Sequence, residues 1–200
     1  MSEWVSEEAA QIGGSSGRYV KSKEWPTKAG AKVAVIRILS SVFPFFEGWS
    51  GGKPVRASRM EDFTPGIVWD KDNKFGQEQV RTPRKQWGVY AYYVERPSEV
   101  LWWQIGQVGI MEALLALAVS PKGAPTKYDV MVTYKEGKKP SPYSVVALDS
   151  APVNPEALAA YEALVAAGGK PEGCLTSESP FPPAGAAAPV VAAAEPVIPF

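Results

Sequence analysis

The chain has 200 residues, 46% of them hydrophobic and 21% charged, which suits one ordinary domain with an appendage and leaves too little length for two large ones. It contains no histidine and a single cysteine, Cys174, which excludes an internal disulfide, the usual zinc sites with about four Cys or His ligands, and histidine-assisted serine or cysteine catalysis. The formal charge of zero conceals a partition: residues 1–17 carry −3, the stretch from Arg18 to Lys139 carries +8 from 20 basic and 12 acidic residues, and Pro140 to Phe200 carries −5.

The first residues, MSEWVSEEAAQIGG, place acids where a signal peptide is basic, and no apolar stretch approaches the roughly 18 residues of a membrane span, so a cytoplasmic protein without membrane contact is expected. Residues 1–17 end in Gly13-Gly14-Ser15-Ser16-Gly17 and read as a flexible acidic arm, with the fold starting near Arg18. KVAVIRILSSVF, Lys32 to Phe43, is rich in β-branched residues and reads as a strand. Its alternation places Val33, Val35, Arg37 and Leu39 on one face and Ala34, Ile36 and Ile38 on the other. Pro44 to Gln86, punctuated by Gly and Pro, is expected to be loops with short strands around Val55 and Ile67 to Trp69. WGVYAYYVE, Trp87 to Glu95, and EVLWWQI, Glu99 to Ile105, form a hairpin across Arg96-Pro97-Ser98.

From Gln107 to Ser120 the period changes. Val108, Met111, Leu115 and Ala118 recur at helical spacing, widened by Ile110, Leu114 and Leu117, and predict an amphipathic helix packed on the sheet. Lys127 to Lys135 and Tyr143 to Leu148 are a second hairpin. Asn154-Pro155-Glu156 opens a short Ala-rich helix within residues 151–168, with Asn154 as N-cap. Residues 169–200 are largely Ala, Pro, Gly and Ser and are expected to be a disordered tail. Five or more strands with one packed helix and no βαβ rhythm predict a mainly β fold over residues 18–150, an OB-fold-like small barrel.

Of the 22 aromatic residues, 18 lie between Arg18 and Ser150, a span that contains the basic body. Lys and Arg interleaved with rings is the composition of a surface that tracks a phosphate backbone and stacks bases; the competing reading is a tryptophan-rich β core with ordinary surface charge. The densest candidate is RTPRKQWGVYAYY. Trp87, Val89, Ala91 and Tyr93 share one face of that strand and Tyr90 and Tyr92 the other, with Arg81, Arg84 and Lys85 at its lip. Trp102 and Trp103 point opposite ways, so one belongs to the core and the other is available to a ligand. Arg37, charged within an apolar strand, must reach solvent or a partner. No carboxylate pair has acid–base or metal spacing and no phosphate-binding glycine loop is present, so neither catalysis, a metal nor a cofactor is expected.

The run from Lys85 to Glu156, with KQWGVYAYYVE, VLWWQIGQVGIMEALLAL, KYDVMVTYKEG, PYSVVAL and a closing Pro-Val-Asn-Pro-Glu, resembles the core of tailed-phage single-stranded DNA-binding proteins, and AKVAVIRILS is similar to that family's first strand. The final Val-Ile-Pro-Phe is similar to the tip with which bacterial single-stranded DNA-binding proteins recruit replication and repair proteins. The sequence departs from the phage family in having no ligands for its zinc subdomain, and from the bacterial tip in lacking the run of aspartates. The resemblance implies sequence-nonspecific coating of single-stranded DNA in phage replication or recombination. Arg37, Arg81, Arg84 and Lys85 would then meet phosphates, Trp87, Tyr90, Tyr92 and one of Trp102 and Trp103 would stack bases, and Ile198, Pro199 and Phe200 would dock a partner protein. The alternative is a non-catalytic structural or peptide-binding β module.

Overall fold

The computed structural model describes residues 27–28, 31–74, 77–137, 141–176 and 179–182. At its centre is β7, Arg84–Tyr93, whose residues from Trp87 to Tyr93 are all buried. One edge of β7 pairs with β8, Leu101–Ile105, which matches the expected hairpin. The other edge pairs with two successive segments, β2 (Ala31–Ile38) against Tyr93 to Ala91 and β3 (Phe43–Ser50) against Gly88 to Arg84.

β2 and β3 therefore form one long strand, interrupted at residues 39–42. The register on either side, Ile38 opposite Ala91 and Phe43 opposite Gly88, leaves two residues more on this strand than on β7. At the interruption Leu39 N–H donates to the Tyr90 carbonyl at 2.8 Å, and Tyr90 N–H donates to Ser40 Oγ at 2.9 Å, so a hydroxyl replaces the carbonyl that a regular ladder would offer. The expected Lys32 to Phe43 strand is thus present but broken near its end.

β3 turns into β4, Lys53–Ala57, through Gly51-Gly52, both at positive φ, as a two-residue hairpin loop requires. The short strand expected around Val55 is thus present as β4, whereas Pro44 to Ser50, expected to be loop, belongs to the full strand β3. Pro44 is tolerated inside a strand because β4 pairs with β3 only from Phe46 onward, so at Pro44 the strand has one neighbour. Ile67 to Trp69 are not a strand; a small separate ribbon instead pairs β5, Lys71–Lys74, with β6, Gln77–Val80.

Beyond β2 the sheet continues with β9, Tyr128–Tyr134, and β10, Tyr143–Ser150, the second expected hairpin, while the short β1, Thr27–Lys28, also pairs with β2. All pairings are antiparallel and run in the order β10-β9-β2-β7-β3-β4. The fold is mainly β, as expected, but the described strands do not close: β10 and β4 are the two ends of the sheet path.

The two faces of the sheet carry separate cores. On the first, Trp87, Val89, Ala91, Tyr93, Trp103 and Ile105 pack with Ile36, Val130 and Val132 and with Ile110, Met111 and Leu114 of helix α1, Val108–Val119. We call this the α1 face. On the second, Phe45, Tyr90, Val100 and Trp102 pack with Leu164 of helix α2, Pro155–Ala166, and with Cys174 and Phe181 beyond it. This is the α2 face. Asn154 caps α2 as expected, its side chain accepting the Glu156 N–H at 2.9 Å.

The stretch from residue 169, expected to be disordered, includes a lid. A 3-10 turn at Pro171–Cys174 buries Cys174, Phe181 is buried, and Tyr90 Oη donates to the Pro180 carbonyl. Composition misleads here because a few well-placed apolar side chains suffice when the aromatic surface they cover belongs to the sheet. The 1–17 arm and the Ile198-Pro199-Phe200 tip lie outside the described residues.

α1 has the expected limits to within a residue, yet not the expected facing. Ile110, Met111 and Leu114 point inward, whereas Val108 and Leu115, expected in the buried stripe, are exposed. With apolar residues on nearly every side, the sequence of this helix does not designate one inward arc.

Candidate nucleic-acid interface

Most of the expected stacking platform is core. Trp87, Tyr90, Tyr92, Trp102 and Trp103 are all buried, so both faces of β7 and β8 are closed to a ligand, and the expectation that one of Trp102 and Trp103 is available is corrected. The physical reason is that each face has its own cover: α1 packs over the core that holds Trp87 and Trp103, while α2, Cys174 and Phe181 close over Tyr90 and Trp102, which meet edge to face with centroids 5.1 Å apart, Tyr161 and Phe181 completing the cluster. Tyr92 Oη accepts the Asn154 N–H at 3.3 Å, tying β7 to the start of α2.

Arg37 is also corrected. It is buried, donates from Nε to Asp129 Oδ1 at 2.6 Å and from both terminal nitrogens to the Ala151 carbonyl at 3.0 and 2.9 Å. Its partner is supplied by the adjacent strand β9, and it pins the exit of β10 rather than meeting phosphate.

Two of the remaining candidates, Arg81 and Arg84, converge on the end of the sheet where β7 begins beside β3. A cleft of about 180 Å³ is lined by Glu47, Gly48, Trp49, Asp72, Arg81, Thr82, Arg84 and Gln86. Trp49 is the ring at this site, 37% exposed. Its backbone is held firmly: the Trp49 carbonyl accepts the Asp70 N–H at 2.7 Å, and the Asp70 carboxylate accepts the N–H groups of Gly51 and Gly52 at 2.8 and 2.9 Å, clamping the turn that follows. Trp69 closes the reverse side, stacked over Gly48 so tightly that a Cβ there would overlap its ring, and meets Phe63 edge to face.

The charges in the cleft are unequally committed. Glu47 accepts from Arg56 Nε at 2.7 Å and from Gln104 Nε2 at 3.1 Å. Asp72 pairs with Arg81, and that carboxylate raises the guanidinium pKa above its usual value. Each acid is thereby answered by an arginine. Arg84, directly across the ladder from Glu47, and its neighbour Lys85 are exposed, and neither makes an ion pair or side-chain hydrogen bond among the described residues. The lining acids and arginines balance in number, but Arg84 is the lining cation without an acidic partner among the described residues, and with the half-exposed indole beside it the cleft can hold a phosphate and stack a ring at once.

Of the expected site, then, Arg81 and Arg84 remain in the cleft and Trp49 joins them, while Lys85 is exposed on the opposite face of β7, paired with Phe46. The sequence signal for Trp49 is the alternation of Phe43, Phe45, Glu47 and Trp49 running into Gly-Gly, a strand-to-hairpin pattern that places an aromatic at the strand's exposed end. Among the described residues no group of three or more His, Cys, Asp or Glu side chains is arranged to hold a metal ion, and no helix is long and apolar enough to cross a membrane. Comparison with models of protein families, with curated proteins and with solved structures finds no match for the chain.

Proposed function

We propose that the protein binds single-stranded DNA without sequence preference, through the Trp49–Arg81–Arg84 cleft rather than through the middle of β7, and coats exposed strands during replication or recombination. The observation that carries this reading is the half-exposed Trp49 ring beside Arg84, a cation with no acidic partner among the described residues. Stacking is indifferent to base identity because every base has a π face, and the +8 body supplies attraction for the backbone. The resemblance of Lys85 to Glu156 to tailed-phage single-stranded DNA-binding proteins points the same way. An OB-type reading of the fold rests on the long interrupted β2–β3 strand along β7 and on α1 between the two hairpins.

Titration of intrinsic tryptophan fluorescence with oligo(dT) and with duplex DNA is the test. Trp49→Ala should weaken oligo(dT) binding by about 1–3 kcal/mol with the thermal melt unchanged. Arg84→Glu with Lys85→Glu should flatten the salt dependence, its slope shrinking by about 0.7 for every phosphate that the variant no longer neutralises. Equal affinity for duplex, or no binding at low salt, overturns the proposal in favour of a structural or peptide-binding β module.

A further inference from the structure

β10 is the last strand of the sheet and pairs only with β9 among the described strands. The hydrogen bond from Lys135 N–H to the Pro142 carbonyl sets the phase of the ladder: residues 142, 144 and 146 turn their backbone groups toward β9, and Val145 and Ala147 turn theirs outward. This open stretch has few of the usual protections of a sheet edge: Lys122 reaches only its far end, where Nζ donates to the Leu148 carbonyl at 3.0 Å. From Tyr143 to Leu148 it contains no charge and no proline, and the bulge that ends regular pairing comes only after Ala147.

The surroundings are equally unfinished. Val145 and Ala147 pack against the α1-face core yet stay half-buried, so that core is open at this margin. On the opposite face Val146 is 44% exposed. Helix α1 lies against this outermost strand and leaves Val108, Leu115 and Val119 exposed by 65%, 53% and 86%, with Glu112 the only charge on the helix. Apart from Glu112, itself exposed among these residues, the outer side of the helix is apolar, the pattern of a surface that a further element covers.

We infer that a second copy of this chain adds to the β10 edge, antiparallel about a two-fold axis through Val146. In that register Val145 and Ala147 of one copy exchange both backbone hydrogen bonds with Ala147 and Val145 of the other, so the outward groups of these two residues find partners. Val146 meets its own symmetry mate as the close, non-hydrogen-bonded pair. A two-fold sets each residue against its own kind or its mirror in the sequence, which punishes charged edges, and this edge opposes no like charges: Ser144 faces Leu148, and Tyr143 faces Asp149. A seam this short, even with α1 alongside it, is smaller than the roughly 1,200–2,000 Å² of a durable interface, so the pairing is reversible and depends on protein concentration.

Sedimentation velocity of the full chain without DNA, over a wide range of concentration, should show a monomer–dimer equilibrium. Val146→Lys, a change at a half-exposed position, should abolish the dimer while leaving circular dichroism and the melt unaltered. Val146→Cys should form a disulfide-linked dimer on mild oxidation, because the Cα atoms of such a pair sit about 4.5 Å apart, within disulfide range. The native Cys174 is buried and does not compete. Val68→Cys, at an exposed site remote from β10 in sequence and pairing, serves as the collision control. A monomer at every concentration, a dimer indifferent to Val146→Lys, or cross-linking of Val146→Cys no faster than of Val68→Cys overturns the inference, and none of these readouts depends on whether the chain binds DNA.

Discussion

The two faces of β7 and β8 are built from alternate residues of the same two strands, yet they are closed by very different material. The α1 face is covered by a helix and strands whose periodic apolar residues announce a core. The α2 face is covered by Leu164, Cys174 and Phe181, scattered through a stretch dominated by Ala, Gly and Pro. The pair teaches that the lid's composition is a poor guide when the buried surface comes mainly from what lies beneath it. Tyr90, Trp102 and Phe45 bring the area, and the lid has only to exclude water.

The sharpest way to break that comparison is to remove a ring from each side. Trp102→Ala and Trp103→Ala should each cost about 3–5 kcal/mol in urea unfolding, since both indoles are fully enclosed. A cheap Trp102→Ala beside a costly Trp103→Ala would mean that the α2 face is a cover laid loosely on a single-core sheet. Next in size, a chain ending at Gly169 should lose about 3 kcal/mol, combining the burial of Phe181 with the Tyr90 hydrogen bond to Pro180. Its tryptophan emission should shift to the red and it should bind a hydrophobic dye.

Gly88→Ala is a finer probe. A Cβ at that position would overlap the Trp102 ring, and the ring is fixed on its other sides, so about 1–3 kcal/mol of overpacking strain is expected, measurable as a lower melting temperature with an unchanged spectrum. The smallest effect is a titration. Burial pushes the Cys174 thiol from 9.0 up to about 12, so the folded chain keeps its proton where the unfolded chain loses it. The associated stability is fully present below pH 9 and declines as pH rises from 9 toward 12, by at most about 1.4 kcal/mol per pH unit. Denaturation at pH 8 and pH 10, compared with Cys174→Ala, isolates this slope. A thiol reagent should modify Cys174 only as fast as the α2 face opens.

How far the sequence can be read follows the same division. The Trp87 and Glu99 hairpin, α1, the β9–β10 hairpin and the Asn154 cap are all legible because each is specified by local chemistry: alternation, helical spacing, a turn or a cap. Burial of Tyr90 and Tyr92 is not, since it depends on residues ranging from about 60 to 90 positions away in the chain. Arg37 shows the limit most plainly. Its need for a partner is readable, but Asp129 is 92 residues distant and meets it only through the β2–β9 register. Trp49 is hidden by Pro44 and the glycines around it, which read as loop because strand tolerance of proline depends on having a missing neighbour.

The break between β2 and β3 bears on which length changes the gene can tolerate. The strand holds two extra residues between Ile38 and Phe43, and because two is even, odd-numbered positions stay on the α2 face throughout, from Arg37 to Phe45 to Trp49. Loss of one residue from Leu39 to Val42 would invert everything downstream, driving Phe45 out of its core and turning Trp49 away from Arg84, whereas loss of two would merely straighten the strand. In-frame deletions here should thus be survivable by parity, with single-codon losses purged and double-codon losses retained.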